Sequence, residues 1–311
     1  MYLTEQAITL FFTLLVTALP WLLFGVIVSS GLLVFLPKQK LANLLPRNRI
    51  IGAILGSCLG LIISVTQYGN IPVARRLLLQ GVPLSIVFSF LVAAPTINPV
   101  VIWLTYKALP DFNNFLFYRV LATGIIAIAV GIIFSFSRDK SIIFDETESL
   151  SYTRSTLLKT GTFLVNDPQN DLEKPKNSSL KLFLSNFIRE SIELGTWLVF
   201  GCAIASIVHT FLPQIQMMQW GQNTISQILI MLLLGFLLSL GSPYNSFVLY
   251  PILSNLLPGA WLSFLLFSSV IDLKGFNLLI TVFHPKVVLY LILLLFLFTL
   301  FFSLIFGYYL A

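Results

Sequence analysis

Two interruptions in otherwise apolar sequence gather residues able to bind a polar ligand. The first is Thr66-Gln67-Tyr68-Gly69-Asn70-Ile71-Pro72, and the second is Pro95-Thr96-Ile97-Asn98-Pro99. Hydroxyl, amide and phenol groups at such breaks can hydrogen-bond a solute. They can equally serve only to satisfy the backbone groups that the breaks release. Each proline removes a backbone donor and pushes the residue before it away from helical angles. At membrane depth, irregular backbone is tolerated only inside protein or along a water-filled cavity. Broken helices with polar residues at the break point to a transporter's binding site.

A carboxylate occupies the matching place in the second half of the chain. Ser89-Phe90-Leu91 aligns with Ser263-Phe264-Leu265, which sets Asn98 against Asp272 and Gln67-Tyr68-Gly69-Asn70 against Gly241-Ser242-Pro243-Tyr244. Tyr244 and Asn245 therefore join the candidate ligands. An ionised Asp at the centre of a membrane helix costs about 2.5–3.5 kcal/mol on insertion scales, so it faces protein or water. One reading of Asp272 is a proton or cation site near the midplane, with protons as the coupling ion. The other is a carboxylate that caps a broken helix or pairs with nearby Lys274.

The remaining ionisable residues carry weaker signals. Arg75 and Arg76 read as cytoplasmic anchors in preference to an anion site, because topology already accounts for them. Glu190 and Glu193 read as solvated residues at the mouth of a helix, and His209 and His284 as interfacial residues. Cys58 and Cys202 lie inside apolar segments as small packing residues, with no cluster of metal ligands. The sequence contains no H-E-x-x-H, no G-x-S-x-G, no paired intramembrane aspartates and no Walker A lysine. It reads as no enzyme and implies no cofactor or metal.

The elements that must position these residues are membrane helices. Apolar residues make up 57% of the chain and charged residues only 10%, with a mean hydropathy of +0.94. A soluble domain carries about 25% charged residues. Most apolar residues fall in runs long enough to span a bilayer and too rarely alternating for a membrane barrel. The basic pI of about 9.3 suggests no nucleic-acid partner, because the positive residues sit in a few short loops. The partners expected are the lipid bilayer of the inner (plasma) membrane and a small solute. The N-terminus lacks a basic n-region and an A-x-A site, so residues 7–36 read as a retained span with a kink near Pro20-Trp21. Further helices are expected over 50–64, 73–80, 84–108 (broken at Pro95–Pro99), 112–136, 184–212, 224–240, 258–282 (broken) and 286–309. Gly52, Gly56 and Gly60 form a strip that lets another helix approach closely.

The two halves repeat. Trp21–Pro37 and Trp197–Pro213 share eight of 17 residues at a constant offset of 176, including Trp, Gly and Pro. The loop after the first of these holds Lys38, Lys40, Arg47 and Arg49, whereas Gln214–Gln222 holds no charge. The positive-inside rule makes the first loop cytoplasmic and the second external. The expected fold is therefore an all-α polytopic membrane protein of two inverted repeats with broken helices and re-entrant hairpins. Residues 1–137 form membrane repeat 1, 138–182 a cytoplasmic polar linker, and 183–311 membrane repeat 2. Whether the hairpins 50–80 and 224–256 cross the membrane fully stays open, and an odd number of crossings per half holds either way.

The run from Asn70 to Pro83, with its I-P-x-A-R-R core, and the run from Ser89 to Val101, with A-P-x-I-N-P, resemble the predicted permeases of the UPF0718/DUF318 family. That family includes ArsP-type organoarsenical efflux permeases. The run from Ser263 to Lys274 is similar to the family's second-half motif, in which Asp and Lys recur. The resemblance spans both halves and excludes the linker. Many members carry Cys-Ser-Cys-Gly where this chain has Thr66-Gln67-Tyr68-Gly69, and thiolates are the soft ligands for trivalent arsenic. The family's Gly-Pro before the second-half Asp is replaced by Ser268-Ser269. The resemblance thus implies the fold and the permease class, without the arsenical substrate. The expected function is a secondary transporter that effluxes a small solute by alternating access. The alternatives are a membrane subunit of a multi-component transporter or channel, and a structural or assembly membrane protein.

Overall fold

The computed structural model describes residues 2–35, 45–46, 48–110, 113–136, 178–212, 223–251 and 256–309. Lys38, Lys40 and Arg47, the stretch 138–177 and the loop 214–222 lie outside the described residues. Within them the chain forms twelve helices, six in each half and in the same order. The first half contributes α1 (Tyr2–Phe35), α2 (Arg49–Ile62), α3 (Asn70–Leu79), α4 (Leu84–Ala93), α5 (Pro99–Ala108) and α6 (Asn113–Ser135). The second contributes α7 (Ser178–Phe211), α8 (Thr224–Leu238), α9 (Asn245–Leu249), α10 (Pro258–Val270), α11 (Leu273–Val282) and α12 (Pro285–Tyr309). Helix α1 runs on through Pro20. With 34 residues each, α1 and α7 are about 51 Å long at 1.5 Å per residue.

Local chemistry sets the helix starts. Asn48 caps α2 by accepting from the Ile50 amide, and Asn98 caps α5 by accepting from Val100 with Pro99 in the first turn. Asp272 caps α11 by accepting from Gly275. These side chains satisfy amides that a helix start otherwise leaves unpaired.

The glycine strip on α2 is the surface on which α4 rests. A Cβ on Gly52 would lie 2.7 Å from Ser85 Oγ, one on Gly56 2.3 Å from the Ile86 carbonyl, and one on Gly60 2.8 Å from Ala94 Cα. Both helices therefore run in the same direction, and the chain must return to its starting side between them. Helix α2 has 14 residues, about 21 Å, which is short of the roughly 30 Å hydrocarbon core. Residues 49–80 thus form a hairpin of two short helices that returns to the end from which it started. The second half repeats the device: the Leu257 amide donates to Gln227 Oε1 at 2.9 Å, which brings the starts of α8 and α10 together. Ser263 also donates to the Ile228 carbonyl at 3.3 Å.

Contacts between helix ends orient the halves. The Arg49 guanidinium sits 4.4 Å from the centre of the Phe136 ring, so α2 begins where α6 ends. At the other end of α6, Phe115 lies 6.0 Å from Trp261 and 5.8 Å from Phe306. The starts of α8 and α10 consequently lie at the opposite end of the molecule from those of α2 and α4. Helices α1 and α7 pack on each other, with Ser29 and Ser30 near the end of α1 bonded to Glu190 and Asn186 near the start of α7.

Burial is that of a membrane protein. Large apolar side chains such as Phe12, Ile54, Phe117, Phe200, Leu289 and Phe301 are exposed, while Thr66, Gln67, Asn70, Asn98, Arg119, Asp272 and Lys274 are buried. Among the described residues, five segments are long and apolar enough to cross a membrane: Leu3–Phe35, Asn114–Ser135, Ser179–Phe211, Pro258–Val282 and Pro285–Tyr308. The protein is an all-α, multi-pass membrane protein.

Candidate functional site

The break after α2 is seated by glycine. A Cβ on Gly25 of α1 would lie 2.2 Å from the Gly69 carbonyl, so neither position leaves room for a side chain. This contact holds residues 65–69 against α1 and turns Gln67 and Tyr68 toward the second half.

Asp272 is where they arrive. Its Oδ1 accepts from the Gly275 amide at 2.7 Å. Its Oδ2 accepts from Gln67 Nε2 at 2.6 Å and from the Tyr68 hydroxyl at 2.7 Å. Lys274 Nζ stands 3.5 Å from the same oxygen, donates to the Ser239 carbonyl, and lies 5.8 Å from the Tyr68 ring centre. Asp272 and Lys274 are each only 1% exposed. The carboxylate thus caps its helix and pairs with Lys274, and it also binds two donors from the first half. A charge at this depth is tolerable because it is paired and hydrogen-bonded.

The equivalent residue Asn98 performs the same capping without a charge. It accepts from Val100 and donates to the Val65 carbonyl at 3.2 Å. Asn98 and Asp272 therefore lie on two sides of the segment 65–68, which joins them. Asn70 donates to the Leu91 carbonyl at 2.8 Å. Asn245, which opens α9 as Asn70 opens α3, accepts from the Leu240 and Gly241 amides and donates to Ser268 Oγ at 2.9 Å. Tyr244 is half-buried at the cap of α9. Pro95 and Thr96 are buried beside the break of the first half, whereas Pro99 is exposed.

Several polar atoms around these breaks are buried without a partner: Thr66 Oγ1, Gln67 Oε1, Asn70 Oδ1, Thr96 Oγ1 and Ser242 Oγ. A buried polar atom left unpaired costs about 1–3 kcal/mol. Five of them around one set of breaks are unspent hydrogen-bonding capacity, suited to a polar solute. Among the described residues, no group of three or more His, Cys, Asp or Glu stands together as a metal site.

Two features escape a reading of the sequence. Glu190 and Glu193 are not free residues at a helix mouth, and Arg75 and Arg76 are not simple surface anchors. Arg75 pairs with Glu193 at 3.2 Å and Arg76 with Glu190 at 3.8 Å. Ser29 donates to Glu190 at 2.9 Å, Arg76 donates to Asn186 at 2.9 Å, and Asn186 donates to Ser30. This network ties the end of α1 and the start of α7 to α3. A pair of arginines facing Glu-x-x-Glu is its only trace in the sequence. The second feature is Arg119, fully buried on α6 and bonded to Thr105, Ser246 and Ser269. It stands near the start of an apolar span, where a positive residue reads as interfacial.

Known proteins are similar to this chain over nearly its whole length. The family model described as predicted permease (ArsP_1) matches residues 3–308. The UPF0718 protein YcgR of Bacillus subtilis (strain 168) is 29% identical over 289 residues, covering 92% of each chain. A putative two-component membrane permease complex subunit of Streptococcus mutans serotype c (strain ATCC 700610 / UA159) is 28% identical over 286 residues. That match covers 91% of this chain and 89% of the relative. No solved structure matches.

Proposed function

The chain belongs to the predicted permease family, and from that premise we propose that it carries a small solute by alternating access between two inverted repeats. The observation that carries this reading is the junction of Gln67 and Tyr68 with Asp272, which puts the breaks of both halves in one buried polar cluster. The equal order of helices, and the opposite ends from which α2 and α8 enter, support the inversion. The basic residues concentrate at the end bearing Arg49, Arg75 and Arg76, which the positive-inside rule makes cytoplasmic in the plasma membrane.

Packing supports one particular state. Helix α1 rests on α3 and α7 rests on α11, and both supports run from the breaks toward the end with the arginines. Among the described residues, α1 has no comparable packing on α5, nor α7 on α9. The same asymmetry appears at equivalent glycines. Gly25 abuts Gly69 of the first break, whereas Gly201 abuts Lys274 of α11, with a Cβ there 3.1 Å from its Cα. Two identical halves packed identically would place both glycines alike. Among the described residues, the α1–α7 pair packs more on the helices of the cytoplasmic half than on those of the external half, the bias expected of an outward-facing carrier. In the opposite state the pair leans the other way and the Arg75–Glu193 and Arg76–Glu190 pairs part.

Asp272 is the proposed coupling site. Withdrawal of Gln67 and Tyr68 during that motion leaves the carboxylate with fewer donors, and a proton then takes their place. Export is the direction implied by the family resemblance. Spin labels at Leu79 with Ile192, and at Trp103 with Ile207, test the motion in lipid nanodiscs. Two populations are expected for each pair, with one distance lengthening as the other shortens. A single unchanging distance for both pairs sinks alternating access.

A second reading draws on the relative described as a two-component membrane permease complex subunit. By analogy this chain would need a second component to move its solute. Mild-detergent purification from the host, followed by mass spectrometry, separates the two: a stoichiometric second chain favours the complex.

A further inference from the structure

Arg119 is the one charged residue, among those described as buried, that has no opposite charge beside it. Asp272 pairs with Lys274, and Glu190 with Arg76. Arg119 is 0% exposed, and its contacts are three hydroxyls. Nη1 donates to Thr105 Oγ1 and to Ser246 Oγ at 3.1 Å, and Nη2 donates to Ser269 Oγ at 2.7 Å. The hydroxyls spend their own hydrogens elsewhere: Thr105 on the Val101 carbonyl, Ser269 on the Leu265 carbonyl, and Ser246 on Thr105. They offer the guanidinium lone pairs, which solvate its charge and leave it in place. An unneutralised arginine inside a membrane helix is costly, by up to about 2.5–3.5 kcal/mol at the helix centre on insertion scales.

The guanidinium is also not fully used. It has five N–H donors, three are bonded, and Nε has no partner. Nε and Nη2 make the side edge of the guanidinium, which takes two oxygens of one anion in parallel hydrogen bonds. That unspent donor belongs to a residue clamped on four helices, α5, α6, α9 and α10, so the edge is held in a fixed place.

Its position adds a route. Thr105 and Ser246 belong to α5 and α9, the two helices on which the α1–α7 pair does not rest. Ser246 follows Asn245 and Ser269 follows Ser268, and those neighbours are bonded to each other at 2.9 Å. Asn245 in turn bonds Ser239, whose carbonyl holds Lys274. A short chain of polar contacts thus joins Arg119 to the Asp272–Lys274 pair.

We propose that Arg119, caged by Thr105, Ser246 and Ser269, binds a small oxyanion that presents two oxygens, a carboxylate or a phosphate-type group, as a ligand of this permease. The proposal rests on the permease reading only for the route by which the anion arrives. The chemistry is shared by a free solute and by an anionic lipid headgroup, and binding distinguishes them without any transport assay.

The experiment follows thermal unfolding of the full-length protein in neutral detergent. The probes are inorganic phosphate, acetate and, separately, phosphatidic acid added to the micelle, with chloride holding ionic strength constant. A saturating rise in Tm with phosphate or acetate is expected, absent in Arg119→Gln and needing at least about tenfold more anion in Arg119→Lys, which keeps the charge without the two-pronged edge. A rise with phosphatidic acid alone, lost in the same variants, supports the site and assigns it to lipid. If Arg119→Gln does not fold, Arg119→Lys decides. No rise with any probe, or an equal affinity in Arg119→Lys, overturns the proposal. A binding result stands whether or not the protein moves by alternating access, so the two readings fail separately.

Discussion

Tyr68 donates its phenolic hydrogen to Asp272 across 2.7 Å, although 204 positions separate the two residues in the chain. The bond links the tip of the first hairpin to the broken helix of the second half, and Lys274 stands beside both. Tyr68, Asp272 and Lys274 each meet another member of this cluster, so single substitutions leave a specific group stranded.

Asp272→Asn keeps the size of the side chain and strands the Lys274 charge, 1% exposed, on a backbone carbonyl. Removing one partner of a buried pair costs about 3–5 kcal/mol. The double variant Asp272→Asn/Lys274→Gln removes both charges and should recover most of that loss. Thermal unfolding of the four proteins checks it, and additive losses would show that the pair is not coupled.

The network around Glu190 predicts a change in conformational balance more than in folding. Glu190→Ala removes the carboxylate that Arg76, Ser29 and Asn186 share. Opening at that end should rise at least tenfold, the effect of about 1.4 kcal/mol. The alkylation rate of a single cysteine placed at Leu77, which is 4% exposed, measures it. The charge swap Arg76→Glu/Glu190→Arg should return the rate toward that of the parent.

Close approach at Gly25 makes a sharper packing test. Gly25→Ala forces the hairpin tip off α1 and should cost about 1–3 kcal/mol, the usual range for overpacking. Gly195→Ala is the control, since a Cβ there meets nothing within 4 Å. Equal stability of the two variants would mean that the tip is not seated by Gly25.

Topology follows from the contacts together with the basic residues. Leu257 and Leu79 are both exposed and stand at opposite ends of the molecule. A membrane-impermeant thiol reagent on intact cells should label Leu257→Cys and spare Leu79→Cys. Labelling of both from outside would refute the inverted arrangement.

Trivalent arsenicals should gain no passage. The family resemblance puts thiolates at the positions of Thr66 and Tyr68, and here Tyr68 is committed to Asp272. Expression in an arsenical-sensitive strain is expected to give no protection. Strong protection that survives replacement of Cys58 and Cys202 would overturn the argument.

Much of this arrangement could be read from residue order. Pro99 and the register of the duplicated motif point to Asn98 and Asp272 as matched interruptions, and the structure makes both of them helix caps. The Gly52-Gly56-Gly60 strip announces a close neighbour, which is α4. What order could not reveal is pairing at long range. The partners of Arg119 lie at positions 105, 246 and 269, with no spacing that marks them as one cage. Glu190 and Glu193 look like any solvated pair until α7 is laid against α3.

The length of α1 and α7 carries a consequence for the surrounding lipid. At about 51 Å each exceeds a hydrocarbon core of roughly 30 Å by some 20 Å, while α6, at 23 residues, comes close to matching it. A long helix meets a thin bilayer by tilting, at a cost of fractions of a kcal/mol per ångström of mismatch. The two overlong helices are packed on each other, so they tilt as one body against shorter neighbours. The first half of α7 carries Lys181, Arg189, Glu190 and Glu193 and can stand clear of the hydrocarbon. The mismatch therefore falls on α1, whose residues 6–35 hold no charge, and acyl-chain length is expected to act on the angle of the pair through α1.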